Sequence, residues 1–441
     1  MNKYVVGVIG GACAGSEIAT RLADMGMEVI VFEQNQLPYG KIEDGLPRWH
    51  AKLQAKEEAT IDERLDRPGI SFVPECRIGY GLSIEDLQKK WRFPLVVLAN
   101  GAWQDRPLNI PGVEGASDDD FIYQNSFIYW FNHNRDKNFK EKTYKVAPGP
   151  VVVGGGLAAI DVAKACMFEL VNEALIARGH QVDLIEMEHK GIFRVVESLG
   201  LDYASLGIKP AKIIYRKRVA DMPLVPLGIG TPKAKLDKAE ATRQKIINNA
   251  TRKFGFEVIP LHSPAELHHN NGRVTGISFD LMEWEDGRFS KTGKRELVET
   301  SQVISSIGSI PEALPGMPMD GEHYHWVSRF TGEVSGLCHF YCVGNAITGR
   351  GNIKNSIANA KRLGLVIDSG LSGSKPAYED WFGIQAEEAR SHVDTLLGYL
   401  EQMPETSPQQ RGDIHAMVRA HWKKIGYQGY RSWREVIISD R

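Results

Sequence analysis

Twice in this chain an apolar run stops at clustered glycines and resumes with a helical period. The first run is Tyr4-Val5-Val6-Gly7-Val8-Ile9, followed by Gly10-Gly11-Ala12-Cys13-Ala14-Gly15. From Ser16 to Met25 the apolar positions Ile18, Leu22 and Met25 fall on one side of a helix, and Gly26 can end it. Glu28 to Phe32 is a second strand, closing at Glu33. An uninterrupted apolar run suits a strand buried on both faces, so the pattern predicts a parallel βαβ unit. The second instance starts at Val151-Val152-Val153, turns through Gly154-Gly155-Gly156-Leu157-Ala158-Ala159 and continues as a helix from Ile160 to Leu170.

The turns have the logic of a pyrophosphate site. Gly10 permits the tight turn, Gly15 lets helix and strand pack closely, and the helix N-terminus presents free N–H groups. Glu33 stands where an acid binds ribose hydroxyls, and its charge would repel a 2′-phosphate. The first loop therefore suits FAD or NAD. Ala12 occupies the second glycine position and narrows the approach. In the second loop Gly154 and Gly156 are both present, and Ala159 takes the third position.

The strand that should follow the second helix is delayed. Glu186 to Gly207 reads as inserted turns and helix, and Lys212-Ile-Ile-Tyr215 as the strand. It ends at Arg216-Lys217-Arg218, three cations where a 2′-phosphate would sit, against a solvated basic turn as the plain alternative. The opposite charges at Glu33 and Arg216–Arg218 assign FAD to the first loop and NADP to the second.

Composition removes other classes. The 441 residues carry 53 Lys and Arg against 55 Asp and Glu, which gives no basis for nucleic-acid or general membrane affinity. No stretch approaches the ~18 apolar residues of a spanning helix. A cytoplasmic or stromal-type compartment is the expectation. Cys13, Cys76, Cys166, Cys338 and Cys342 include no Cys-x-x-Cys pair. Cys338 and Cys342 read as strand residues about 13 Å apart, too far for a disulfide. The five are expected to be small buried residues, with no iron–sulfur cluster, zinc site, other metal or redox disulfide.

The order of these motifs resembles adrenodoxin reductase and the bacterial ferredoxin–NADP reductases, with the glutamate synthase small subunit more distant. Gln36-Leu-Pro-Tyr-Gly-Lys-Ile-Glu-Asp-Gly-Leu-Pro-Arg-Trp-His50 is similar to the family's flavin-covering segment, which ends in a His. Leu95 to Ala102 resembles the strand closing the first FAD portion, and Phe127 to Asn132 an aromatic crossover helix. Ser305 to Gly308 resembles the return strand. Tyr341-Cys-Val-Gly344-Asn345 and Thr348-Gly-Arg-Gly351-Asn352-Ile353 resemble the segment that touches flavin and nicotinamide. A helix N-terminus at Ile353 would stabilise negative charge on reduced flavin.

The resemblance implies contacts to FAD from Gly10, Ala12, Ala14, Gly15, Glu33, Gln34, Gly40, Leu46, Gly101, Gly344, Asn345, Gly351, Asn352 and Ile353. It implies contacts to NADP from Gly154, Gly156, Leu157, Ala158, Arg216, Lys217 and Arg218, and a catalytic role for His50. Many relatives have Asp where Asn345 stands. Relatives near adrenodoxin reductase carry an acid after the basic strand that pairs with the His. Here Asp221 is the nearby acid, which leaves a His50–acid pair open.

The implied fold is α/β: two Rossmann-like three-layer domains, with the NADP domain inserted in a discontinuous FAD domain. The expected boundaries are 1–107 with 317–441 for FAD, including a helical extension at 370–441, and 108–316 for NADP. Lys233 to Phe254 is expected as an exposed amphipathic helix, and Arg273 to Asp280 as a strand after a turn at Asn270–Gly272. His421 to Ile425 and Ser432 to Val436 are expected to close onto the FAD domain. The implied activity is NADPH-dependent electron transfer to a ferredoxin-like carrier. The alternatives are an electron-transfer subunit of a larger complex and a flavin oxidoreductase acting on a small organic substrate.

Overall fold

The structure, a computed structural model, describes residues 3–225, 227, 231–285, 287–348 and 352–439. Gly351, an expected flavin contact, lies outside them. The chain divides into two compact units. One comprises Met1–Glu43, Lys52–Gln104 and Ser309–Arg441; the other comprises Asp44–Ala51 and Asp105–Gly308. Residues 44–51, expected with the flanking FAD portion, group with the second unit.

The first unit is built on five parallel strands in the order Phe340–Cys342, Val96–Leu98, Val5–Ile9, Glu28–Phe32, Ile70–Val73. All five residues of Val5–Ile9 are buried, as their unbroken apolar character predicts. Helix Cys13–Asp24 returns the chain to Glu28, whose register opposite Val5 fixes the first crossover. Ile30, Phe32, Val96, Phe340 and Tyr324 form the centre of this core.

The tail of this unit is helical: Ile353–Ser372, Ala386–Glu401, Pro408–Ile425 and Tyr430–Ser439. Ser407 caps the third of these helices through Gln410 N, and Pro408 sits where its missing N–H costs nothing. The expected closing segment packs on the sheet's edge. The Trp422 indole donates to Phe72 O at 2.8 Å, and Trp433 to Gln36 O at 2.8 Å.

The second unit has its own five parallel strands, ordered Phe121–Tyr123, Val303–Ser306, Val151–Gly154, Lys212–Tyr215, Glu257–Pro260. The delayed strand is at Lys212–Tyr215, and helices Leu184–Lys190 and Ile192–Ser198 fill the gap before it. Lys233–Phe254 is helical and buries Ala239, Ile247, Ala250 and Phe254.

One element is larger than its sequence suggests. His262–Asn270, Arg273–Glu285 and Arg288–Glu299 form an antiparallel sheet. Leu267, Ile277 and Phe279 pack against Val151 and Val153, whereas Arg288–Glu299 is almost wholly exposed. An outer strand with little to bury carries no apolar alternation, so it left no pattern to read.

No helix among the described residues is long and apolar enough to cross a membrane. No cluster of His, Cys, Asp and Glu among them could hold a metal ion. All five cysteines are unpaired. Cys338 departs from expectation: it is exposed, because the strand begins only at Phe340, after His339 adopts φ +66°.

Candidate functional site

In the first unit, strand Val5–Ile9 lies between Glu28–Phe32 and Val96–Leu98. The chain departs toward one neighbour and returns on the other, which opens a crevice at the strands' carboxyl ends. Gly10 turns there with φ +93°, and a β-carbon on it would lie 2.7 Å from Ala99 O. A β-carbon on Gly15 would lie 1.8 Å from Gly10 O, so strand end and helix start touch backbone to backbone. The helix starts with neither a side-chain cap nor an acid in its first turn, which leaves its leading N–H groups for an anion.

Glu33 is buried. Its Oε2 accepts from Gly11 N at 2.8 Å and its Oε1 from Asn35 N at 3.0 Å. The acid at the strand tip is thereby fixed against the glycine turn. Ala12 faces Gly40: a β-carbon at 40 would be 3.3 Å from the Ala12 methyl, so the absent side chain at 40 makes room for the extra one at 12. Gly344, φ +68°, comes as near to Ala14, with 3.0 Å from its would-be β-carbon. Its N–H donates to Asn359 Oδ1 at 2.7 Å, a contact from helix Ile353–Ser372 that no motif announced. Asn352 caps that helix through Asn355 N at 3.0 Å, and Asn345 Oδ1 accepts from Ser356 Oγ at 3.4 Å. Gly10, Ala12, Ala14, Gly15, Glu33, Gly40 and Gly344 are therefore gathered at one end of this sheet. Gln34 follows Glu33 half-buried, and Gly101, φ +69°, follows the neighbouring strand. Cys13 is also here, but burial pushes its thiol up to about 12, which leaves it inert.

The second unit repeats the arrangement, with Val151–Gly154 between Val303–Ser306 and Lys212–Tyr215. A β-carbon on Gly154 would sit 2.2 Å from Ser306 O, and one on Gly155 would sit 2.3 Å from the Tyr215 ring. At Gly156 it would meet nothing, and Leu157 is half exposed, so this loop is open where a pyrophosphate would approach. Helix Leu157–Ile176 again starts without a side-chain cap or an acid in its first turn, and Ala158 lies in that turn. Both cradles fit a dinucleotide by the same test: added side chains collide with backbone at the turn, while helix N–H groups stay uncapped.

His50 belongs to this second unit. Its Nε2 is 3.5 Å from Asp161 Oδ2, on the glycine-loop helix. The pairing acid thus comes from that helix and not from Asp221, which binds Arg218. Asp161 is also 3.7 Å from the buried Lys164 ammonium, which reaches Glu188 at 3.1 Å and lies over the Trp49 ring at 4.3 Å. Trp49 packs edge-on against Phe131 and Phe168, and Asn132 Nδ2 donates to Leu46 O at 2.9 Å. Leu46 is therefore held as part of the segment that carries His50.

His133 ties the other end of that segment, with Nε2 3.5 Å from Asp44 and Nδ1 2.9 Å from Asp136. The Asp44 carboxylate foremost, helped by Asp136 and opposed by burial, raises the imidazole above its ordinary 6.5. A raised folded value stabilises the structure fully below 6.5, and the gain is lost as pH rises through the raised value. The stability advantage of wild type over His133→Asn is expected to shrink across that window in urea titrations. An advantage that grows with pH would contradict the pairing.

Residues 4–198 match the pyridine nucleotide-disulphide oxidoreductase family. Over 377 residues the chain is 24% identical to NADPH-ferredoxin reductase FprA of Mycobacterium tuberculosis, covering 78% of each protein. It is 28% identical to the mitochondrial NADPH:adrenodoxin oxidoreductase of Arabidopsis thaliana, over 71% of this chain and 69% of that one. This chain resembles the adrenodoxin reductase-type flavoproteins. A glutamate synthase small chain of Bacillus subtilis is 31% identical over 35% of the chain and 31% of its own length. The structure of M. tuberculosis FprA in complex with NADPH superposes with a TM-score of 0.67 at 20% identity, covering 96% of this chain and 91% of that one, a likeness of fold.

Among residues the motifs did not announce, Asp161, Lys164 and Asn359 bear most on the two sites. Asp161 and Lys164 are one helical turn apart on the loop helix, a spacing that signals a shared face but not the distant His50.

Proposed function

We propose that this chain is an FAD-dependent oxidoreductase that transfers electrons between NADPH and an iron–sulfur protein of the ferredoxin type. The observation that carries the reading is the contrast between two built glycine cradles. One ends beside a buried acid, Glu33; the other lies beside the strand Lys212–Tyr215, which Arg216 and Lys217 follow directly. A buried carboxylate suits ribose hydroxyls and disfavours a 2′-phosphate, whereas cations favour one. The similarity to NADPH-ferredoxin reductase FprA over 78% of the chain supports the same assignment and the kind of acceptor. Bound FAD supplies the exchange between two-electron hydride chemistry and one-electron transfer. The protein holds each cofactor, fixes its orientation and excludes competing charge. Five unpaired cysteines suit a reducing, cytoplasmic setting.

The test is NADPH oxidation coupled to a ferredoxin panel. Electron transfer to at least one iron–sulfur protein is expected, and turnover with small organic acceptors alone would overturn the acceptor assignment. Within this reading His50 handles a proton or polarises the flavin edge, with Asp161 orienting its ring. His50→Ala is expected to retain FAD and to slow flavin reduction by NADPH at least about tenfold in stopped-flow measurements. An unchanged rate removes His50 from the mechanism.

A further inference from the structure

The three cations at the tip of Lys212–Tyr215 are not equivalent. Arg218 is committed twice. Its Nε donates to Asp221 Oδ2 at 2.8 Å and its Nη2 to Asp221 Oδ1 at 3.1 Å, a two-pronged ion pair. Its guanidinium carbon lies 4.3 Å over the Trp284 ring. Trp284 in turn packs on Phe289 with ring centroids 4.3 Å apart, each ring from one strand of the long hairpin. Lys217 reaches the same aromatic pair with its ammonium 5.2 Å over Phe289, but no ion pair to a described acid engages it. Arg216 is exposed, and likewise none engages it.

A carboxylate that already accepts two bonds from Arg218 cancels most of that cation's field, and the aromatic face fixes the guanidinium plane. A phosphate arriving there would have to compete with Asp221. At Lys217 and Arg216 it would find uncompensated charge.

Resting on the NADP assignment of the second loop, we propose that Arg218 is a positioning residue. It clamps the turn after Lys212–Tyr215 to the Trp284–Phe289 hairpin, and discrimination for the 2′-phosphate lies with Arg216 and Lys217. The hairpin thereby becomes part of the cofactor site's frame: it sets where the turn carrying the two phosphate-facing cations stands. Lysine cannot replace Arg218, because the role uses a planar fork and a stacked face and not charge alone.

The experiment measures kcat and KM for NADPH and for NADH, with a small artificial electron acceptor, in the full-length flavin-loaded protein. Arg216→Gln and Lys217→Gln are each expected to lower the NADPH-to-NADH ratio of kcat/KM by about tenfold or more, through KM for NADPH. Arg218→Gln is expected to raise KM for both cofactors alike, with kcat and the ratio held within about twofold. Arg218→Lys should fail to restore KM. Trp284→Leu, which reaches the clamp from the hairpin and spares the charged turn, should reproduce the Arg218→Gln pattern. A ratio that collapses in Arg218→Gln, or is recovered by Arg218→Lys, overturns this inference and leaves the NADP assignment standing. A wild-type protein with no preference for NADPH overturns the assignment itself.

Discussion

Gly15→Ala is expected to yield a protein that no longer retains FAD. The added methyl would sit 1.8 Å from the Gly10 carbonyl oxygen and 3.3 Å from the Ala99 methyl. Relief requires the helix Cys13–Asp24 to lift off the strand, since the obstacle is backbone with no rotamer to change. That movement takes the uncapped helix start away from the crevice at Glu33. Overpacking of this kind costs about 3 kcal/mol, equivalent to a loss of roughly a hundredfold in affinity. Equilibrium dialysis of FAD and the visible flavin band both read it. Gly156→Ala is the contrast. Its methyl meets no protein atom, so fold and FAD content should be unchanged while KM for NADPH rises. Equal effects from the two substitutions would refute the view that the first loop is closed by packing and the second open for ligand.

The second large effect is expected at Lys164. Its side chain is only 8% exposed, with Glu188 at 3.1 Å and Asp161 at 3.7 Å. Lys164→Met keeps the aliphatic fill against Trp49 and Phe254, strands the Glu188 carboxylate and leaves Asp161 with His50 alone. Breaking a buried pair from one side costs about 3 kcal/mol, and the partial exposure of both acids places this case at the low end of such effects. The urea midpoint of the variant should fall accordingly. Adding Glu188→Gln to Lys164→Met should restore part of the loss, because it removes the stranded charge. If the double variant is as unstable as the single, the cost is packing and not charge.

Much of the fold was legible because its two central strands are unbroken apolar runs ending in glycine. Val5–Ile9 and Val151–Gly154 could be little else. The delayed strand Lys212–Tyr215 was legible for the same reason, as a short apolar run ending in charge. What resisted reading was set by long-range geometry. The partner of His50 is Asp161, far away in sequence, and the neighbouring Trp49, packed against Phe131 and Phe168, helps hold the segment that brings them together. The compensation of Ala12 by Gly40 is likewise invisible until the two approach. The cations after Tyr215 were legible as charge, but not that Asp221 and Trp284 had already engaged one of them. Arg288–Glu299 was missed since an exposed outer strand buries almost nothing.

The central claim is that the cradle beside Glu33 holds FAD and the cradle near Arg216 and Lys217 takes NADPH. Anaerobic titration of the purified protein, followed through the visible flavin absorption, tests it most directly. The expected result is a flavin band that NADPH bleaches at about tenfold lower concentration than NADH. Protein without bound flavin, or a flavin reduced equally well by either nucleotide, would contradict it.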